Sequence, residues 1–245
     1  MADTRGTLFN DFALILKDLK PKMFLAENVK GLVSHDEGKT LKVMINVFEE
    51  SGYKVEYKVL NSLDFGVAQK RQRIMIVGIR NDIYKKRKSD FSFPTELEYK
   101  PNLKDALKNV PESKGTKYSE AKFKVLDLVK PGGCWRDLPE QVAKDYMKAS
   151  YFSGGGKTGM ARRLSWEEPG LTILCSPSQK QTERCHPDET RPLTIRESAR
   201  IQSFPDNWEF IGSVTEQYKQ IGNAVPVELA FHIGSAIKDF LIKNT

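Results

Sequence analysis

A carboxyl group and two guanidinium groups stand out in the first third of this 245-residue sequence. Glu27 follows Met23-Phe24-Leu25-Ala26, a short apolar run with the length of a buried strand, so its carboxyl is delivered at a strand end. Arg71 and Arg73 stand two apart in Gln69-Lys70-Arg71-Gln72-Arg73, at the head of a second apolar run. A carboxyl group can give or take a proton, while a guanidinium is a permanent cation whose fork fixes direction. Each has a plainer reading on its own. A lone carboxylate at a strand end is commonly ion-paired, and two arginines two apart on a strand commonly form a solvated face. Further on, Gly222-Asn223-Ala224-Val225-Pro226 has the composition of a turn. Arg196, Glu197 and Arg200 recur at helical spacing, which suits a buried ion-pair lattice that is architectural and not catalytic.

The elements that must hold these groups alternate. Leu8, Phe12, Ile15 and Leu19 recur at helical spacing, and Pro21 closes that helix. After the Met23 strand, Leu41, Ile45 and Phe48 mark one face of a second helix, with Gly52 as its cap. Tyr53, Val55, Tyr57 and Val59 then alternate with charged residues, the period of a half-buried strand. Ile74-Met75-Ile76-Val77-Gly78-Ile79 reads as a fully buried strand. This is α/β organisation, with Glu27 at the C-terminal end of a parallel-type strand, where open sheets of this class place ligands. Beyond the charged run Lys85-Lys86-Arg87-Lys88 the texture changes to short helices at 103–107, 119–129 and 139–147 with glycine-rich breaks, a loop-rich domain. A last helix from Pro226 carries Leu229, Ile233, Ile237 and Phe240 or Leu241 on its buried face.

Bulk properties narrow the class without naming a function. Lys and Arg number 39 against 32 Asp and Glu, for a net charge of +7, which favours polyanion partners. No apolar run has the length of a membrane span, and the sequence opens without a secretory signal. Three scattered cysteines, Cys134, Cys175 and Cys185, form no disulfide framework and point to a reducing cytoplasm. Neither they nor His35, His186 and His232 have metal-ligand spacing, so no metal is expected.

In this order, Asp3-Thr4-Arg5-Gly6-Thr7-Leu8-Phe9, Glu27-Asn28-Val29, Gln69-Lys70-Arg71-Gln72-Arg73, 191–206 and Gly222 to Pro226 resemble the later motifs of DNA cytosine-5 methyltransferases. The resemblance runs over nearly the whole chain. It implies methyl transfer from S-adenosylmethionine to C5 of a cytosine flipped out of a specific sequence in double-stranded DNA, in a restriction–modification setting. It assigns Glu27 to N3 and the exocyclic amine of the base, with burial there helping to keep a donatable proton. It assigns Arg73 to the cytosine O2 and Arg71 to the phosphate of the flipped nucleotide, the latter no better founded than a simple phosphate or surface contact. Gln69 would brace the loop. Leu8, Asn223 and Ala224 would touch the cofactor, although Leu8 also suits the core and Asn223 an ordinary turn.

The same resemblance places target recognition between 150 and 190, with Gly154 to Lys157 and with Arg162, Arg163, Thr172, Lys180, Gln181 and Arg184 as DNA-binding candidates. Thr172-Ile173 fits the family's Thr-aliphatic pair. Two family segments have no counterpart among the 245 residues: the Phe-x-Gly-x-Gly cofactor turn and the Pro-Cys loop bearing the nucleophile. None of the three cysteines has the Pro-Cys setting. The expectation is therefore the back half of a Rossmann-like methyltransferase domain over 1–90, a target-recognition domain over 91–213, and a segment 214–245 returning to the first. The chain would be inactive alone and would work with a second polypeptide carrying the front half. The alternative is a non-catalytic DNA-binding or regulatory remnant of such an enzyme, which would need none of Glu27, Arg71, Arg73 and Asn223.

Overall fold

A computed structural model describes residues 4–153 and 158–244, with side chains from residue 8 onward. In chain order the first elements are α1 (Thr4–Leu19), β1 (Met23–Val29), α2 (Lys39–Glu50), β2 (Tyr53–Asn61), β3 (Gln69–Lys70), β4 (Gln72–Arg80) and α3 (Asn81–Lys86). There follow α4 (Leu103–Leu107), α5 (Glu120–Asp127), α6 (Glu140–Met147), β5 (Gly170–Leu171), α7 (Ile195–Ile201), α8 (Val214–Asn223) and α9 (Val227–Asn244). The chain divides into two compact units. Unit 1 holds Met1–Asn61, Gln72–Glu96 and Phe231–Thr245, and unit 2 holds Ser62–Arg71 and Leu97–Ala230. This departs from the expected segments 1–90, 91–213 and 214–245. Gln69 and Arg71 spend their side chains on backbone of 173, 201, 222 and 224, which draws 62–71 into unit 2.

Unit 1 is built on a sheet of order β1-β4-β2. Both outer strands pair antiparallel with β4, with Leu25 opposite Val77 and Val55 opposite Gly78. The parallel neighbour expected beside Glu27 is therefore not β4. β4 has both faces covered, which explains its unbroken apolar run. Ile74 and Ile76 point towards Phe12 and Leu16 of α1 and Leu41 and Phe48 of α2, together with Phe24. Val77 and Ile79 point the other way, against Ile83, Phe91 and Phe240 of α9. Each fully buried side chain of this kind contributes about 1.5–3 kcal/mol.

The stripe expected for α1 is rotated. Ala13 and Leu16 are buried, with Phe9 and Phe12 packed beside them, whereas Leu8, Ile15 and Leu19 are 70%, 50% and 76% exposed. Apolar residues occupy more than one face of this helix, and spacing alone does not choose which face the sheet covers. β1 stands at a sheet edge among the described residues, with Leu25 and Val29 exposed.

Unit 2 is mostly loops and short helices, with two cores among the described residues. One gathers Leu103, Leu107, Leu164, Ile173, Leu193, Ile201, Tyr218 and Ile221, and the other Leu126, Val129, Leu138, Ala143, Ala161 and Cys185. Its one sheet is the two-residue parallel pairing of β3 with β5 among the described residues. Helices this short depend on their caps, and α4, α7 and α8 each begin with a capping box. α8 was not evident from periodicity. Among the described residues no helix is long and apolar enough to cross a membrane.

Candidate functional site

In unit 1, the end of β1 and the start of β4 bring an acid and a cation together. Val29 pairs with Arg73 and Glu27 with Met75, so Glu27 and Arg73 are diagonal neighbours on one sheet face. Arg73 Nε lies 2.8 Å from Glu27 Oε1, and Arg73 also donates from Nη1 to the carbonyl of Gln72 at 2.9 Å. The Arg73 side chain is 14% exposed and that of Glu27 is 28% exposed. Glu27 is thus reachable, not buried as expected, because Leu25 and Val29 on the same face are themselves uncovered. Beside it Lys30 donates to the Gln72 carboxamide oxygen at 2.9 Å. A carboxyl and a guanidinium fixed side by side can meet two adjacent polar positions on one edge of a planar ring.

Arg71, two residues earlier, does something different. It is 2% exposed and lies inside unit 2. One guanidinium nitrogen donates to the carbonyl of Ile173 at 3.0 Å, and the other donates to those of Gly222 at 3.0 Å and Ala224 at 3.1 Å. The expected phosphate or surface contact is replaced by an internal brace. Gln69 works with it, accepting from the Ile173 N–H at 2.8 Å and donating to the Gln202 carboxamide oxygen at 2.9 Å. Gln202 in turn donates to the carbonyls of Ile221 and Ala224. Gln202, which caps the C-terminal end of α7, is fully buried, and sequence reading missed it because a single glutamine carries no signal of burial.

The brace fixes the 222–224 turn. A Cβ on Gly222 would stand 2.4 Å from the Cys175 nitrogen, so only glycine allows this approach. Asn223 is exposed, and its Oδ1 accepts from Cys175 Sγ at 3.0 Å. Ala224 is half-buried, and its carbonyl is held by Arg71. Leu8, the other cofactor candidate, is an exposed apolar side chain in unit 1.

The recognition candidates part into two sets. Arg163 is 4% exposed and donates to the carbonyls of Val129, Leu126 and His186 and to Thr190. Arg184 is buried against the carbonyls of Thr172 and Glu183, and burial together with nearby Arg162 pulls its guanidinium down to about 10. Arg162 is held by Gly132 and Glu168, and the Thr172 hydroxyl donates to the Lys70 carbonyl. All four hold loops to one another, Arg163 and Arg184 from buried positions and Arg162 and Thr172 from half-buried ones. A chain with little regular secondary structure leaves many carbonyls unpaired, and arginine supplies the donors. Lys180 and Gln181 remain exposed. Gly154 to Lys157 lie outside the described residues.

Glu197 sits beneath these loops, paired bidentately with Arg191 at 2.8 Å for each contact. Burial pushes the Glu197 carboxyl up, but the Arg191 and Thr194 hydrogen bonds outweigh it and hold it below the usual range. Arg200 pairs instead with Asp206, and Arg196 donates to the carbonyls of Pro205 and Trp208. The lattice expected of Arg196, Glu197 and Arg200 is therefore three separate anchors. Among the described residues no group of three or more His, Cys, Asp or Glu could hold a metal ion.

Comparison with known proteins fits this geometry to a family. Residues 1–239 match the model of the C-5 cytosine-specific DNA methylases. The chain is 64% identical over 240 residues to the Type II methyltransferase M.Sau96I of Staphylococcus aureus, covering 98% of this chain and 56% of the relative. It is 53% identical to M.Eco47II of Escherichia coli, covering 98% of this chain and 59% of that protein. It thus spans a little over half the length of these curated relatives. In fold it is similar to a solved E. coli prophage protein described as a DNA modification methyltransferase, with TM-score 0.68, 21% identity, and coverage of 98% of this chain and 75% of that one. The S. pombe Dnmt2 methyltransferase aligns at TM-score 0.56 and 15% identity, over 98% of this chain and 74% of that one. With the acid–cation corner and the braced Gly222 turn at the positions of the quoted motifs, the chain belongs to the C-5 cytosine-specific DNA methylase family.

Proposed function

We propose that this chain carries the base-handling and DNA-reading parts of a DNA cytosine-5 methyltransferase acting on a specific duplex sequence within a restriction–modification system. The observation that carries the reading is the 2.8 Å pairing of Glu27 with Arg73 on one accessible sheet face. Cytosine C5 is a poor nucleophile. Addition of a thiolate at C6 turns the ring into an enamine and moves negative charge towards N3 and O2. Arg73 meets that charge at O2, and Glu27 holds a proton at N3 and accepts from the exocyclic amine. In the free protein the two groups pair with each other; an extruded cytosine edge takes the place of that contact, and Glu27 takes up from solvent the proton it presents to N3. Nothing in the pairing requires a residue from outside unit 1.

S-adenosylmethionine supplies the electrophilic methyl group when bound. The residues assigned to it are exposed, each in its own unit: an apolar side chain at Leu8 of unit 1, and a carboxamide at Asn223 on a braced turn of unit 2. The glycine-rich turn and the Pro-Cys nucleophile have to come from a front-half segment. The open edge of β1 and the uncovered stripe of Leu8, Ile15 and Leu19 support such a segment lying against unit 1. The curated relatives carry their additional length within one polypeptide, so a separate partner chain is one of two ways of supplying it.

The test is transfer of labelled methyl groups to mixed-sequence duplex DNA by this chain, alone and with a front segment bearing the Phe-x-Gly-x-Gly and Pro-Cys motifs. Label at cytosine C5 only in the combined sample is the expected result. A soluble combined assembly that binds DNA and transfers nothing would leave the remnant reading in its place.

A further inference from the structure

The chemistry above leaves unused one buried ionic cluster, at the root of an exposed loop in unit 2. Glu183 is fully buried. Its carboxylate accepts from the Tyr146 hydroxyl on α6 and the Ala161 N–H, and it pairs with Lys122 of α5 at 2.6 Å. Lys122 also donates to the Ser178 carbonyl at 2.6 Å. One ammonium group therefore ties together the two ends of the 178–183 loop. The backbone adds to the closure, with Thr182 N–H donating to Gln179 and Glu183 N–H to Gly159. A Cβ on Gly159 would come within 2.7 Å of the Gln181 carbonyl, so the two segments run in close contact. Burial, with the Glu183 hydrogen bond, pushes the Tyr146 phenol far up, so it stays a donor.

A buried ion pair costs desolvation that good geometry only offsets, and fixing a conformation is among its best-attested uses. What this pair orients is visible at the loop tip. Lys180 folds back over the Tyr146 ring, 4.5 Å from its centroid, while Gln179 and Gln181 on either side are exposed. A glutamine carboxamide has one acceptor and two donors, the pattern that matches N6 and N7 of adenine in the major groove. Base reading by so few groups depends on a loop whose register is set in advance.

Building on the function proposed above, we infer that 178–182 is a base-reading loop in which Gln179 and Gln181 contact base edges, while Lys122, Glu183 and Tyr146 are positioning residues that set its register. Neither glutamine carries a charge, so neither contributes to the phosphate attraction of this basic chain.

Selection of duplexes from a pool with randomised positions, using the full chain, tests this. The wild-type chain should enrich one motif. Gln179→Ala and Gln181→Ala should each relax preference at one base pair by roughly tenfold or more, with the salt dependence of non-specific binding unchanged. Lys122→Met should blur several positions of the motif at once, and Lys122→Arg should restore part of it. If both glutamine variants keep the motif intact, the inference is wrong while the DNA-reading role stands. If Lys122→Met weakens all sequences equally, its role is structural only. If the wild-type chain binds duplexes without enriching any motif, the sequence-reading part of the proposed function falls, and this inference with it. Because the two glutamines are exposed, their variants decide the matter even if Lys122→Met does not fold.

Discussion

Arg71 and Arg73 lie two residues apart in one basic motif, yet they serve opposite ends of this protein's chemistry. Arg71 is enclosed in unit 2, where it joins the carbonyls of Ile173, Gly222 and Ala224. Arg73 stands on an accessible face of unit 1 beside a carboxylate. The strand parity that puts alternate residues on one face holds only while the strand lasts, and β4 begins at Gln72. Arg71 sits before that start, in a segment claimed by the other unit. Identical side chains thus become a structural brace and a candidate catalytic group, according to where a strand begins.

Substituting the two arginines separates the roles, and this is where the largest effects are expected. Arg73→Ala should lower methyl transfer by the complemented enzyme by about 100-fold or more. Unfolding should move by only about 1 kcal/mol, since its ion pair is partly solvated. Arg71→Ala should behave the other way, costing about 3 kcal/mol in denaturant unfolding because three carbonyls lose their donor. Arg71→Lys should recover less than half of that, since one ammonium cannot span three acceptors on a fixed fork. Equal stability losses for the two alanine variants would erase the contrast.

Gly222→Ala sharpens it on the side of unit 2. The added methyl must displace the Leu174–Cys175 backbone, at a cost of about 1–3 kcal/mol. Titration of the Cys175 thiol with a reporter should reveal faster labelling, as the turn that holds Asn223 against it loosens. An unchanged melting profile and labelling rate would mean that the turn has slack.

The smallest effect is that of pH on unit 2, where His186 and Glu197 lie 3.8 Å apart. Burial holds the His186 imidazole below its ordinary 6.5, so the native state favours the neutral ring. Stability from this source is complete above 6.5 and declines as pH falls towards the folded value. Glu197 is held below its ordinary 4.5, so its contribution persists above 4.5 and is lost as pH falls through the depressed value. Thermal unfolding should therefore weaken in two steps on acidification, the upper one below 6.5 and the lower one below 4.5. His186→Asn should abolish the upper step and leave the lower one.

Motif order and strand patterning were legible without coordinates. Glu27 at a strand end, Arg73 near it, the buried run 74–79 and the helix after Pro226 all depend on local spacing, and local spacing is what a sequence records directly. The recognition region was far less legible. There Arg163, Arg184, Arg162 and Thr172 have the residue types of DNA contacts, yet each spends its polar atoms on neighbouring loops. Glu183 and Lys122, sixty-one positions apart, gave no sign of meeting.

The sequence by itself determined the family, the α/β alternation and the order of the chemically competent groups, because these follow from residue identity and short-range periodicity. Tertiary structure alone decided which face of α1 is covered, that β4 runs against β1, and which polar side chains face inward. Those outcomes depend on which distant carbonyls lack partners and on which apolar stripe meets the sheet first. Both are properties of the packed chain, and no short window of residues contains them.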